Sequence, residues 1–102
     1  MIKQTTFLIA LLLSFATGSF AQGKKLKVYI SADMEGVGGV STWDVQASAK
    51  GREYDQFRRL MTLEVNAAIA GAFDAGATEV LVSDSHGDAQ NIDVELLTRA
   101  PV

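Results

Sequence analysis

The sequence predicts an α/β fold in which two parallel strands are joined by one long helix, a βαβ unit. Two short β-branched runs, residues 28–32 and 79–83, are typical of buried strands. Between them, residues 54–75 carry apolar side chains at spacings of three and four, which indicates a helix with one buried face. Because such a crossover is almost always right-handed with parallel strands, both strands should end at the same edge of the sheet.

The first 21 residues have the pattern of an export signal. Lys3 gives a positive start, residues 7–16 form an apolar stretch too short to span a bilayer comfortably, and Ser19-Phe20-Ala21 is a small-x-small cleavage pattern. The sequence therefore predicts a signal peptide over residues 1–21 and an exported chain over 22–102, periplasmic or secreted, with no membrane contact after cleavage. An uncleaved membrane anchor is the alternative, which the short apolar core disfavours.

Composition narrows the classes of function. The chain has 9 basic and 12 acidic residues, and Lys3 belongs to the predicted signal, so the exported part is more acidic still. That balance disfavours a nucleic-acid-binding surface, which needs a basic patch. There is no cysteine, so neither a lipid-anchored cysteine nor a disulfide framework is available.

Two acids follow the first strand directly. Asp33 and Glu35 are two residues apart and precede a glycine-rich turn. Side chains two apart on an extended chain point the same way, so both carboxylates should face one spot. Like charges held together cost free energy unless a cation neutralises them or one takes up a proton, which makes this pair a candidate site.

The middle of the chain adds one further acid of interest. Residues 41–52 have no usable period and are predicted to be a loop, while the helix over 54–75 should end at Gly76 in a left-handed cap. Glu64 lies at the border of the apolar stripe. The favoured interpretation is a carboxylate that reaches solvent or an arginine such as Arg58 or Arg59; the alternative is a group that orients a metal ligand.

The second strand leads into Asp84 and His86, and a short helix is expected over residues 92–98. If the strands are parallel, these two side chains meet Asp33 and Glu35 at one sheet edge, where α/β folds place their ligands. Three carboxylates and one imidazole suit zinc or manganese, and hydrolysis of an amide or ester is the natural reaction. Alternatively, His86 is a structural histidine and Asp84 caps a turn.

Three segments, in order, closely resemble the zinc-dependent D-aminopeptidases of the dipeptide-transport type. They are SADMEGVGGV at 31–40, YDQFRRLMTLEVNAAI at 54–69 and AGATEVLVSDSHG at 75–87. The resemblance implies that Asp33 bridges two zinc ions, that Glu35 binds one of them and that His86 binds the other. Asp84 and Glu64 are then candidates for groups that support these ligands. It further implies removal of N-terminal D-amino acids from short peptides, homo-oligomers, and a larger three-layer α/β domain.

The chain departs from that family in length. Family members are much longer, and a further histidine ligand, a further glutamate ligand and a catalytic histidine come later in them. The chain has one histidine, at position 86. We therefore expect residues 22–102 to be the N-terminal portion of such a domain, a fragment or a truncated copy, which binds zinc weakly and does not turn over peptide by itself.

Two other functions compete with this one. A two-metal exonuclease of the ribonuclease-H-like kind also ends its first strand in Asp-x-Glu, but that fold continues into antiparallel strands instead of a long helix. A non-catalytic exported module is the second alternative, with the acids as a weak cation site or a solvated loop. Whatever the function, a chain with so few strands should leave an apolar face exposed, on the helix or at the sheet edge.

Overall fold

A computed structural model describes residues 23–98 of the chain, so the predicted signal peptide over 1–21 lies outside the described residues. The elements, in chain order, are strand β1 (Lys27–Ala32), a 3₁₀ turn (Met34–Gly36), a π-helical turn (Trp43–Ala47), helix α1 (Tyr54–Asp74) and strand β2 (Glu79–Asp84). Within this described part, no helix is long and apolar enough to cross a membrane.

The two strands form a parallel pair, which confirms the predicted βαβ unit. Their register runs from Lys27 opposite Glu79 to Ala32 opposite Asp84. The ladder continues one step further, because the Ser85 N–H donates to the Ala32 carbonyl at 2.7 Å. Both strands therefore finish at the same level, and the segments that follow them leave from one edge of the sheet.

Helix α1 matches the predicted helix to within one residue at its end. It stops in a left-handed glycine cap: Gly76 has φ +95°. The Gly76 N–H donates to the Phe73 carbonyl at 2.9 Å, and the Ala77 N–H donates to the Ala72 carbonyl at 3.0 Å. These two bonds satisfy carbonyls that the last helical turn leaves without partners, and they turn the chain directly into β2.

The core lies between α1 and one face of the sheet. Its buried members are Ala32, Met34, Val37, Ala47, Phe57, Met61, Val65 and Ile69. The opposite sheet face is open: Tyr29 and Leu81 are partners in the register, and they are 62% and 61% exposed. An exposed apolar face was expected on the helix or the sheet edge. The structure places it on the sheet face that α1 does not cover, and Leu63 on α1 is exposed as well.

Two connecting segments differ from expectation. The predicted loop over 41–52 contains the π-helical turn. The short helix predicted over 92–98 is wrong, because this segment makes only one turn, in which the Leu96 and Leu97 N–H groups both reach the Asp93 carbonyl at 3.1 Å. Asn66 on α1 holds its far end: its amide donates to the Leu96 carbonyl at 2.8 Å, and its oxygen accepts from the Thr98 N–H at 2.8 Å. In the predicted helix the Thr98 N–H would donate to the Val94 carbonyl, so its bond to Asn66 replaces a helical one.

Candidate metal centre

The acids after β1 are presented side by side by a short turn. Asp33 has extended backbone (φ −137°, ψ 135°), and its carbonyl accepts the Gly36 N–H at 3.0 Å, which starts the 3₁₀ turn. Met34 is fully buried in the core. Because the methionine between them points inward, the carboxylates of Asp33 and Glu35 both remain about half exposed at the edge of the sheet.

His86 meets both acids from the other strand. Its Nδ1 lies 2.9 Å from Asp33 Oδ1 and 2.8 Å from Glu35 Oε2. The ligand atoms of the three residues lie within 4.8 Å of one another. We call Asp33, Glu35 and His86, as candidates for binding a metal ion, the metal centre. The sequence predicted that these three residues and Asp84 would come together at the sheet edge, and the structure brings the three together without Asp84.

The other nitrogen of His86 contacts the backbone. Nε2 donates to the Ala47 carbonyl at 2.8 Å, and the imidazole is only 10% exposed. Ala47 ends the π-helical turn and is fully buried. The ring is therefore held between a carbonyl on one side and two carboxylates on the other.

The contacts of the metal centre shift two pKa values. Burial lowers the pKa of His86, but the hydrogen bond to the Ala47 carbonyl and the charges of Asp33 and Glu35 outweigh it, so that the pKa is raised from 6.5. The pKa of Asp33 is lowered from 3.8, first by hydrogen bonding with the Glu35 side chain and then by His86, against the opposing effect of burial. These contacts therefore favour a protonated His86 beside an ionised Asp33.

The donor set fits a divalent transition metal. Among residues 23–98, the only ion pairs of Asp33 and Glu35 are with His86; neither is neutralised by a lysine or arginine. Two carboxylates and a neutral imidazole carry the charge that balances one divalent cation. Mixed oxygen and nitrogen donors suit zinc better than magnesium or calcium, which prefer oxygen alone.

Asp84 does not join the metal centre. Its Oδ2 accepts the N–H groups of Asn91 and Ile92 at 2.6 and 2.8 Å, and its Oδ1 accepts the Asn91 side-chain amide at 2.9 Å and the His86 N–H at 3.3 Å. Burial raises the pKa of this carboxyl, yet these hydrogen bonds together hold it below 3.8. The carboxylate of Asp84 thus ties the loop that carries His86 to the end of β2.

Asn91 is a site-supporting residue that sequence reasoning missed. It is almost fully buried, and its amide donates to both Asp84 and the His86 carbonyl. Its side-chain oxygen accepts the Tyr54 hydroxyl at 2.7 Å, and its carbonyl accepts Nε of Arg58 at 3.0 Å. A lone asparagine in a polar loop gives no sequence signal for this role. These hydrogen bonds anchor the loop that carries His86 to the start of α1.

Glu64 stabilises the glycine turn that follows the acids. Its Oε1 accepts the Gly38 N–H at 2.8 Å. Neither predicted arginine partner pairs with it, since Arg58 donates to the carbonyls of Asn91 and Ile92, and Arg59 lies 3.9 Å from Asp93. A side chain at position 38 would place its Cβ 2.8 Å from the same carboxylate oxygen, so the Glu64 side chain would have to move away.

Comparisons with known proteins all indicate one family. Residues 26–101 match the sequence model of the peptidase M55 family, described as D-aminopeptidase. A D-aminopeptidase of Bacillus subtilis (strain 168) is 47% identical over 72 residues, covering 71% of this chain and 26% of that protein. The structure of the Zn-dependent D-aminopeptidase DppA from Bacillus subtilis, described as a self-compartmentalizing protease, matches with a TM-score of 0.68 at 44% identity, over 72% of this chain and 26% of that one. The chain thus spans about a quarter of the length of these relatives.

Proposed function

This chain belongs to the peptidase M55 family of D-aminopeptidases, and on that premise we propose that Asp33, Glu35 and His86 bind zinc for the hydrolysis of N-terminal D-amino acid residues from short peptides. The observation that carries the proposal is the convergence of one imidazole nitrogen and two carboxylates at the carboxyl ends of two parallel strands. The zinc dependence of the Bacillus subtilis relative supports the choice of metal.

Each ligand has a distinct part in the proposed site. His86 offers Nδ1 from a ring held by its other nitrogen, while Glu35 and Asp33 offer oxygens that are open to solvent. Zinc held by these residues would lower the pKa of a bound water from 15.7 to about 7, which would supply a nucleophile at neutral pH. The half-exposed carboxylate of Asp33 has two oxygens, so we propose that it would bridge two ions, with Glu35 a ligand of one and His86 a ligand of the other.

We further propose that the 102-residue chain alone binds zinc weakly and does not turn over peptide. Hydrolysis of a peptide bond also draws on a general acid that gives a proton to the leaving amine. Within the described residues, Asp84 spends its carboxylate on four hydrogen bonds, and Glu64 is bonded to Gly38. The single histidine of the chain, His86, is already assigned to the metal centre.

Location and assembly complete the proposal. The signal-like pattern over residues 1–21 supports export to a periplasm or the medium. The self-compartmentalizing nature of the Bacillus subtilis relative supports assembly into homo-oligomers. The ribonuclease-H-like alternative loses support, because β1 is followed by α1 and a parallel strand where that fold would continue with antiparallel strands.

Calorimetric titration of the purified chain with zinc tests the site, alongside an assay with D-alanyl peptides. We expect weak binding by the wild type, loss of binding in His86→Ala, and no turnover. If the wild type takes up no zinc, the acids are a solvated loop of a non-catalytic module. Turnover that Asp33→Ala abolishes would show instead that the chain is active by itself.

A further inference from the structure

The segment of residues 41–53 packs against the far side of the His86 ring, and we call it the positioning loop. We propose that this loop selects the nitrogen that His86 offers to a metal: the Ala47 carbonyl keeps a proton on Nε2 and leaves Nδ1 as the ligand atom. The metal half of this inference rests on the proposed function, whereas the orientation of the ring does not.

The hydrogen bond from His86 to Ala47 determines which ring nitrogen must carry a proton. A carbonyl oxygen only accepts, so at 2.8 Å from the Ala47 oxygen Nε2 must carry a hydrogen. A neutral imidazole has one protonated nitrogen, and its lone pair is then on Nδ1. In the metal-free chain Nδ1 instead donates a second proton to the oxygens of Asp33 and Glu35, which lie 2.9 and 2.8 Å away, and a metal that displaces this proton meets the Nδ1 lone pair.

The Ala47 carbonyl is itself held in place by a network within the positioning loop. The Ser48 N–H closes the π-helical turn on the Trp43 carbonyl at 2.8 Å. Gln46 braces the entry to the turn, since its Oε1 accepts the N–H groups of Ser41 and Thr42 at 2.7 and 3.1 Å. Because the turn is bonded at both ends, the carbonyl direction at Ala47 does not depend on the presence of a metal.

Gly51 lets the positioning loop close. A Cβ at this position would collide with the Val45 carbonyl oxygen, and it would lie 2.7 Å from the Val45 carbonyl carbon and 2.9 Å from the Asp44 oxygen. These are backbone atoms of the π-helical turn, so relief requires movement of the turn that ends at Ala47. Gly51 and Gln46 are therefore positioning residues for His86, although neither contacts its ring.

The matched pair of variants is Gly51→Ala and Gly71→Ala. Gly71 lies on the exposed side of α1, where an added Cβ would meet no other atom within 4 Å, so that variant adds the same carbon without a collision. The chain has one histidine, so each imidazole signal in an ¹⁵N spectrum belongs to His86. In the metal-free wild type and in Gly71→Ala we expect a protonated Nε2 that is scalar-coupled to the ¹³C carbonyl of Ala47.

In Gly51→Ala we expect that coupling to disappear while the helical circular dichroism is retained. Zinc affinity should fall about 10- to 100-fold, the usual cost of losing a group that orients a metal-binding histidine. With ¹¹³Cd in place of zinc, the wild type should show metal coupling to Nδ1. If Gly51→Ala fails to fold, Gln46→Ala carries the same test, because it removes the brace without adding an atom.

Two results overturn the inference: a ¹¹³Cd coupling to Nε2, or an unchanged Ala47 coupling and zinc affinity in the folded loop variants. The outcomes also separate the inference from the proposed function. If no metal binds but the Nε2 proton is coupled to Ala47 only while the loop is intact, the loop's control of the ring is supported and the zinc site is not.

Discussion

Asp33 and His86 are 53 positions apart in the chain, yet Oδ1 of the first and Nδ1 of the second are 2.9 Å apart. The contact follows from the parallel register, because Ala32 and Asp84 are partners and each strand delivers its next residues to the same edge. Neither segment makes a metal centre without the other, so binding of a cation should depend on the whole βαβ unit.

Removing one carboxylate should weaken zinc binding with little effect on the fold. In Glu35→Gln we expect the affinity to fall at least as far as the roughly 10- to 100-fold loss seen when an outer group is removed, because a charged ligand itself is lost. The matched control is Glu95→Gln, an exposed glutamate far along the chain whose side chain takes no part in the metal centre. Calorimetry measures both; equal affinities in the two variants would remove Glu35 from the site.

The stability of the metal-free chain should depend on pH in two opposite directions. The raised pKa of His86 gives a contribution that is complete below 6.5 and is lost as the pH rises through the folded-state value. The lowered pKa of Asp33 gives one that is present above 3.8 and is lost as the pH falls through its folded-state value. Urea denaturation from about pH 3 to about pH 9 measures both effects.

The second proton of the His86 ring competes with a metal ion for the same nitrogen. Because zinc binds the neutral imidazole, its affinity should rise with pH through the window in which the stability contribution of His86 is lost. His86→Gln is the control for both measurements: it should abolish the alkaline loss of stability and reduce the acid loss without removing it, because Glu35 still lowers the pKa of Asp33. An alkaline loss that persists in His86→Gln would assign it to another group.

Asp84 accepts hydrogen bonds from Asn91, Ile92 and His86, which we call the clasp. The clasp should contribute more to the free energy of unfolding than an ordinary surface acid does. In Asp84→Asn an amide replaces one carboxylate oxygen, so some N–H donors of Asn91, Ile92 and His86 lose their acceptor. We expect a loss of about 2 kcal/mol in the free energy of unfolding. Asp88→Asn is the control, because Asp88 is exposed and accepts only one N–H, that of Gln90, at 3.2 Å. A loss no greater than in the control would show that the clasp is weak.

Glu64 and Gly38 should behave as a coupled pair. Gly38→Ala displaces the carboxylate of Glu64 and should cost about 1 kcal/mol of unfolding free energy, the value of one hydrogen bond. Glu64→Ala removes the same bond, so the double variant should cost little more than either single one. Additive losses in this double-mutant cycle would mean that the two residues stabilise the fold independently.

The open sheet face should govern self-association. Replacing Tyr29 and Leu81 by lysine removes two exposed apolar side chains, and surface changes of this kind usually alter stability by less than about 0.5 kcal/mol. The net charge moves from −3 toward zero, which by itself promotes association. We nevertheless expect less aggregation by light scattering. The exposed pair Ala67→Lys and Ala70→Lys on α1 changes the charge equally, and it should aggregate at least as much as the wild type.

The sequence was sufficient for the strands, the helix and the meeting of Asp33, Glu35 and His86, because hydrophobic period and the handedness of the crossover determine all of these. The contact with Ala47 could not be predicted, since a backbone carbonyl has no sequence signature. The helix wrongly predicted over residues 92–98 has a local cause. Its apolar spacing suggests a helix, but hydrogen bonds from Asn66, which is distant in sequence, hold that segment in a single turn.

Strands β1 and β2 end at the same level, and this limits where such a chain can gain or lose residues. One residue inserted within either strand would advance its acids or its histidine by about 3.3 Å and turn the following side chains to the opposite face. An insertion among residues 23–26, ahead of β1, would leave the metal centre untouched. Across related proteins, insertions and deletions should therefore occur outside the strands, because the length of each strand determines where its site residues lie.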